Sequence, residues 1–311
     1  MRLLITGISG FIGGSFGSHA AKAGHVVMGT GRSDVRAWSG LYTRIHDADD
    51  LSHLIREFLP DVLVNAAGTA SVAASLNDPL NDFHGSVETC AKVLDAVRRS
   101  GNDPLIVIPS SAAAYGNPTS VPVSEDASLQ PISPYGFHKA ACELLSREYA
   151  ECFGLRIVIC RFFSVFGPAQ CRLLVWELYK QLAGDQETAW LEGTGSESRD
   201  FLYIDDAVAA LLGLARDRVQ NPSAQSIILN VGSGIETSVI GLAEQLRDLV
   251  APQKEIRCRG VIRKGDPLRW CADISRLRAC LPSWQPRPLR EGLVLCVKAW
   301  QQQARFSQYG S

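Results

Sequence analysis

The stretch Tyr135-Gly136-Phe137-His138-Lys139 sets a phenol and an ammonium four residues apart, directly after Pro134 opens a helix. Residues i and i+4 share a helix face, and proline is favoured at the first helical position. A free tyrosine titrating near pH 10 is a poor proton-transfer group at neutral pH; a lysinium beside it stabilises the phenolate and lowers that value. The spacing therefore predicts Tyr135 as an acid/base and Lys139 as its tuner. Such a pair also arises by chance on solvated helices, so its meaning depends on its surroundings. His138 points about 100° away from Lys139 around the helix and reads as a neighbour of the site, not a catalyst.

Those surroundings begin at the N-terminus. Arg2 to Thr6 reads as a buried strand, followed at once by Gly7, Gly10 and Gly13, an apolar helix from Phe11 to Ala23 and a second strand near 25–29. Glycines in a strand-to-helix turn let the backbone approach a pyrophosphate, which the helix N-terminus favours. The strand and helix around the triplet, not the triplet alone, predict a dinucleotide site. A third element is the apolar run from Ile106, ending in Ser110 and Ser111, followed by three alanines and Tyr115-Gly116. Either serine would present a hydroxyl to a carbonyl or alcohol beside Tyr135, at the sheet edge where doubly wound folds bind ligands; the plainer alternative is a serine turn.

With these elements in order the chain resembles the extended short-chain dehydrogenase/reductase family of nucleotide-sugar epimerases, dehydratases and reductases, over nearly its whole length. The resemblance rests also on NAAG at 65–68, RFFSVFGP at 161–168, RDFLYIDD at 199–206 and RKGD at 263–266. It implies Ser111, four residues before the tyrosine of SSAAAYG, as the hydroxyl catalyst with Tyr135 and Lys139. It implies a coenzyme held by Gly7, Gly10, Phe11, Ile12, Gly13, Arg32, Asp47, Ala66, Ala67 and Lys139, with Asp47 meeting the adenine. A sugar-nucleotide substrate would meet Ser71, Ser111, Ser164, Arg199 and Arg263, the two arginines taking the diphosphate with their planar forks; ordinary surface ion pairing is the plainer role for both.

Departures from the family pattern also inform. Ala112 and Ala113 stand where sugar dehydratases carry an acidic pair, which argues against dehydration. Ser164 replaces an asparagine common in relatives, and His138 a small residue. The second strand ends in Gly29-Thr30-Gly31-Arg32-Ser33, with no carboxylate for a ribose hydroxyl, and Arg32 would pair with a 2'-phosphate. NADP(H) is thus favoured. NAD(H) stays open, with Arg32 on the adenine and Asp34 or a backbone group at the ribose.

The 311 residues suit a nucleotide-binding sheet with a grafted substrate lobe. Strands alternate with helices through about residue 160, as parallel sheets require, and IILNVGS at 227–233 reads as a further strand returning to that sheet. The expected architecture is an α/β fold, a doubly wound parallel Rossmann sheet with a smaller, discontinuous C-terminal substrate lobe. Residues 1–166 and about 205–233 would form the coenzyme domain, and about 167–204 and 234–311 the lobe. Thirty-one basic and 32 acidic residues give a net charge of −1, so no global field draws nucleic acid or an anionic membrane. No apolar run reaches the roughly 20 residues of a membrane span, and a strand starting at residue 2 leaves no signal peptide. Nine cysteines without a Cys-x-x-Cys pair suggest a reducing cytoplasm, and six scattered histidines no metal site. Amphipathic helices at 80–100 and 134–153 suggest a homodimer by resemblance, or packing on the sheet.

The function expected is nucleotide-sugar epimerisation, by oxidation and re-reduction at C4 with bound NAD(P). SSAAAYG and RKGD resemble the epimerases. The alternative is an NADPH-dependent reductase of the GDP-4-keto-6-deoxymannose type, which the GTGRS and SPYG stretches resemble. A non-catalytic dinucleotide sensor is a third reading, with no use for Ser111, Tyr135 and Lys139 together.

Overall fold

The computed structural model describes residues 1–31, 39–221, 226–261 and 265–309. In chain order the first half runs β1 (Arg2–Thr6), α1 (Phe11–Lys22), β2 (Val26–Gly31), β3 (Leu41–Arg44), α2 (Ala48–Phe58), β4 (Val62–Asn65), α3 (Val72–Asn77), α4 (Pro79–Phe83), α5 (Thr89–Ser100), β5 (Leu105–Ser111) and α6 (Pro134–Phe153). The second half adds β6 (Ile157–Phe162), β7 (Ser164–Phe166), α7 (Leu174–Ala183), β8 (Thr188–Leu191), β9 (Ser198–Tyr203), α8 (Ile204–Gln220), β10 (Ile227–Val231), β11 (Glu236–Ser238), α9 (Val239–Val250), β12 (Glu255–Cys258), α10 (Ser275–Cys280) and α11 (Leu289–Tyr309).

Seven strands form one parallel sheet in the order β10-β6-β5-β4-β1-β2-β3. Both faces are covered, so the central strands are mostly apolar; every residue of β4 and β6 is buried. Alternation along β1 sends Leu3 and Ile5 to one face, with Phe16 of α1 and Val208 and Leu211 of α8. Leu4 goes to the other, with Leu51 and Ile55 of α2 and Leu94 and Val97 of α5. The expected return strand is β10, paired with β6. The order in which strands are added reverses between β1 and β4, the switch point at which such sheets open a crevice. Beyond the sheet lie a three-stranded layer, β11-β9-β7, and the parallel pair β12-β8.

The helix expected over 80–100 is a continuous helical path interrupted at its middle. A π turn over His84–Glu88 joins α4 to α5. Val87, Cys90, Leu94 and Val97, the stripe considered for a dimer contact, pack beneath the sheet. Exposed apolar side chains on this side are instead Leu80, Phe83, Phe137, Leu144 and Phe153. Among the described residues no helix is long and apolar enough to cross a membrane, and no group of three or more histidine, cysteine or acidic side chains has a metal-binding arrangement.

Candidate active site

At the switch point, β1 passes into α1 through a turn made of backbone. Gly7 has φ +69, and a Cβ on it would lie 2.6 Å from the Ala67 nitrogen and 2.7 Å from the Ala66 carbonyl carbon. A Cβ on Gly13 would lie 2.4 Å from the Gly7 oxygen, while the Gly10 N–H donates to that oxygen at 2.9 Å. The turn after β1 and the Ala66-Ala67 turn after β4 thus touch backbone to backbone, a closeness only glycine permits. Thr6 ties the two strand ends by donating its hydroxyl to Asn65 Oδ1 at 2.8 Å. Phe11 and Ile12 form the first turn of α1, which has no side-chain cap and no acidic residue, so its N–H groups and helix dipole are open to an anion. These features fit a dinucleotide pyrophosphate.

Asp47, expected at the adenine, stands at the N-terminus of α2. It caps α2, accepting from the Asp50 N–H at 3.0 Å and the Asp49 N–H at 2.9 Å, bonds that hold its carboxyl below the usual range. Arg32 and Asp34 lie outside the described residues.

Adjacent serines at the end of β5 diverge because successive strand residues face opposite sides. Ser110 turns inward and donates to Glu143 Oε1 at 2.5 Å. Ser111 is half-buried, and its hydroxyl accepts from the Ala113 N–H at 3.1 Å, opening the helical turn Ala112–Ala114. Of the two hydroxyls, that of Ser110 is taken up by Glu143, whereas Ser111 is partly exposed. Gly136 lets α6 start against that turn: a Cβ there would lie 2.4 Å from the Ala113 oxygen. Ser133 caps α6 by accepting from the Gly136 N–H, and the Tyr135 N–H donates to Ser75 Oγ at 3.0 Å. Lys139 Nζ sits 5.7 Å from the Tyr135 ring centre and donates to the Pro109 oxygen at 3.1 Å. The same lysine lines a small cavity with Asn65, Ala67, Ser86 and Cys142, so the Tyr-Lys helix and the glycine cradle meet.

Of the expected substrate residues, Ser71 caps α3, the helix whose Ser75 holds the Tyr135 backbone. Ser164 opens β7 opposite Phe201 of β9. Arg199 on β9 stacks 5.6 Å from Trp270 and donates to the Ser198 oxygen; burial pulls its affinity for the proton down, opposed by Asp266 and Glu197. A guanidinium held in such a place, costly to bury, suits a diphosphate more than a surface ion pair. Arg263 lies outside the described residues. Gly265, two residues on, faces Val72 of α3 and Ser133, the cap of α6.

Three polar groupings went unnoticed in the sequence. Arg161 of β6 forks onto Glu143 of α6, with Nη2 to Oε2 at 2.7 Å, and donates to Tyr115 Oη at 2.8 Å, while Tyr115 donates to Asn230 Oδ1 of β10. Burial pushes the Tyr115 phenol up to about 12. Asp200, next to Arg199, accepts from the Ser233, Gly234 and Ala272 N–H groups and from the Ser233 hydroxyl. His138 is bonded to buried Asp82. Alternating apolar strands that carry an arginine or an aspartate were the available signal for the first two; for His138 there was none beyond its presence.

Residues 3–232 match the profile described as the NAD dependent epimerase/dehydratase family. The UDP-glucose 4-epimerase of Mycolicibacterium smegmatis is 30% identical over 317 residues, covering 96% of this chain and 98% of the relative. The UDP-glucuronate 4-epimerase of Thermodesulfobacterium geofontis is 26% identical, covering 94% of each. Among solved structures, UDP-glucose-4-epimerase from Stenotrophomonas maltophila with bound NAD and formylated UDP-arabinopyranose superposes with a TM-score of 0.87 at 25% identity, over 99% of each chain. MoeE5 in complex with UDP-glucuronic acid and NAD gives 0.86 at 26% identity, over 97% of this chain and all of that one. With the glycine cradle at the switch point of a parallel sheet and a Tyr-Lys helix beside it, the chain belongs to the NAD-dependent epimerase/dehydratase family.

Proposed function

We propose that this protein is a nucleotide-sugar epimerase acting at C4 of the sugar. The observation that carries the reading is that Lys139, 5.7 Å from the Tyr135 ring centre, lines a cavity with Asn65 and Ala67 at the edge of the glycine cradle. A dinucleotide held there would supply the hydride acceptor and donor that inversion at the sugar carbon needs. Tyr135 removes the hydroxyl proton in the first half of the cycle and gives it back in the second. Ser111 orients the sugar oxygen by hydrogen bonding. Lys139 carries a fixed positive charge beside the phenol and holds the ribose. Gly7, Gly10 and Gly13 admit the pyrophosphate, with Phe11, Ile12, Ala66 and Ala67 around it. Arg199 and Arg263 take the diphosphate of the substrate, and Ser71 and Ser164 flank the sugar. The lobe built from residues 167–204 and 234–311 supplies the two arginines, Arg199 and Arg263.

For the coenzyme we favour NAD(H). The solved relatives named above hold NAD, and the NADP(H) preference that Arg32 raised finds no counterpart in them. The epimerase names of those relatives also weigh against the reductase alternative. Exposed Leu80, Phe83, Phe137, Leu144 and Phe153 support a homodimer through α4 and α6, and the free cysteines a reducing cytoplasm.

One experiment tests both the chemistry and the coenzyme. Tyr135→Phe is expected to lower kcat for interconversion of a UDP-hexose pair about 10²- to 10⁴-fold, with the dinucleotide still released in near-stoichiometric amount on denaturation. Mass spectrometry of that released molecule identifies it. Full activity of the variant would overturn the role of Tyr135; an empty wild-type protein that consumes added NADPH would make the protein a reductase.

A further inference from the structure

We infer that Asp82 and His138 form a clamp that positions Tyr135 for this reaction; the inference rests on the epimerase reading above. Asp82, on α4, is 3% exposed and uses both carboxylate oxygens: Oδ2 meets His138 Nδ1 at 2.5 Å, and Oδ1 accepts from the Thr69 hydroxyl. Thr69 Oγ1 lies a further 2.8 Å from Ser86 Oγ in the π turn. The Phe83 ring stands edge-on to the imidazole, with centres 5.8 Å apart.

A carboxylate this deeply buried is retained only where its oxygens are satisfied, and here the two partners come from opposite walls of the site. Thr69 belongs to the turn after β4, between Ala67, which touches the glycine cradle, and Ser71. His138 belongs to α6, one residue before Lys139 and three after Tyr135, which places it about 60° from Tyr135 around the helix. The π turn is part of the same arrangement, because Gly85 lies so close that a Cβ on it would sit 2.7 Å from Thr69 Cγ2. Single π turns inside helices gather at functional sites. Asp82 thus fixes the distance between the wall that receives coenzyme and sugar and the helix that carries the acid/base. His138 touches neither reactant in this role; it acts through Asp82.

Removing the imidazole leaves one buried carboxylate oxygen unpartnered, and α6 is no longer held to the Thr69 turn. The pyrophosphate cradle of Gly7 and Gly13 does not involve α6 and keeps its shape. The expected result for His138→Leu is a kcat reduced about 10- to 100-fold, with the KM for the sugar nucleotide and the amount of retained dinucleotide within about twofold. His138→Asn places an amide N–H where Nδ1 stood and is expected to restore kcat to within about threefold of wild type. Thr69→Val removes the other end of the clamp and should reproduce the kcat loss at unchanged KM. A His138→Leu variant with wild-type kcat, an asparagine variant as impaired as the leucine one, or a fully active Thr69→Val each overturns the clamp. The threonine variant decides the matter even where His138→Leu fails to fold. Active wild type with unaffected variants sinks the clamp alone, whereas a wild type that interconverts no UDP-hexose tried sinks the epimerase reading beneath it.

Discussion

Two regions of this molecule do opposite things with close contact. At the glycine turn after β1, the chain removes side chains so that backbone can approach backbone and leave a concave face for a ligand. Around Arg161, three strands across the sheet, it fills the interior with charged and polar side chains that satisfy one another. The first region is local, a dozen residues whose spacing states its purpose. The second gathers Ser110, Tyr115, Glu125, Glu143, Arg161 and Asn230 from separate elements, and frames the strand end and helix that present Ser111 and Tyr135. Binding chemistry is written in short range, and the frame that aims the catalytic groups is written in long range.

The sharpest way to break this contrast is to attack the frame. Arg161→Leu leaves the Glu143 carboxylate buried without its counter-charge and takes a donor from Tyr115. Breaking a buried pair from one side costs about 3–5 kcal/mol, whereas replacing both partners by apolar side chains is often close to neutral. Urea unfolding should therefore show the large loss for Arg161→Leu and a substantial recovery for the Arg161→Leu/Glu143→Leu double variant. Equal loss in both would mean that the network contributes specific bonds well beyond mutual neutralisation.

The same contrast explains what the sequence disclosed. The parallel sheet, the glycine cradle and the helix carrying Tyr135 and Lys139 were legible because each is set by spacing within one or two elements. The strand end was less so: a serine turn stood as the plainer alternative, and β5 instead continues through Ser111, because Ser110 and Ser111 pair with Arg161 and Phe162 of β6. That extension decides which serine faces the site, and it depends on a partner strand that local propensity cannot see. His138 was read from its helical angle as a neighbour of the site and not a catalyst; its bond to Asp82, 56 residues away, lay beyond the reach of any local pattern.

A milder intervention sharpens the local side of the comparison. Gly7→Ala forces a side chain into φ +69, worth about 1–2 kcal/mol of strain, and drives a Cβ toward the Ala66-Ala67 backbone. Gly10→Ala meets only the Gly7 oxygen, at 3.2 Å, with an ordinary φ. Both alanines narrow the face offered to the pyrophosphate, but only the first should lower stability measurably. Coenzyme retention reduced in both, with an unfolding midpoint lowered in Gly7→Ala alone, is the expected pattern. A stable, coenzyme-loaded Gly7→Ala protein would show that the turn has room to spare.

The smallest effect concerns the layer that carries Arg199. Glu236 of β11 is held by the forked Arg269 guanidinium, with Nε to Oε1 and Nη2 to Oε2 both at 2.8 Å, and by the Ser198 hydroxyl. Arg269 first and Ser198 second pull the Glu236 carboxyl down to about 2. A carboxyl depressed in the folded state favours folding above its unfolded value, near 4.5, and that contribution fades as pH falls toward about 2, where both states are protonated. Arg269 stands in solvent, so screening keeps the contribution small. Glu236→Gln should lower the melting temperature slightly near neutral pH, and the gap from wild type should close between about pH 4.5 and 2. A gap that stays constant over that range would assign the loss to packing between β11 and β9, and not to the charge.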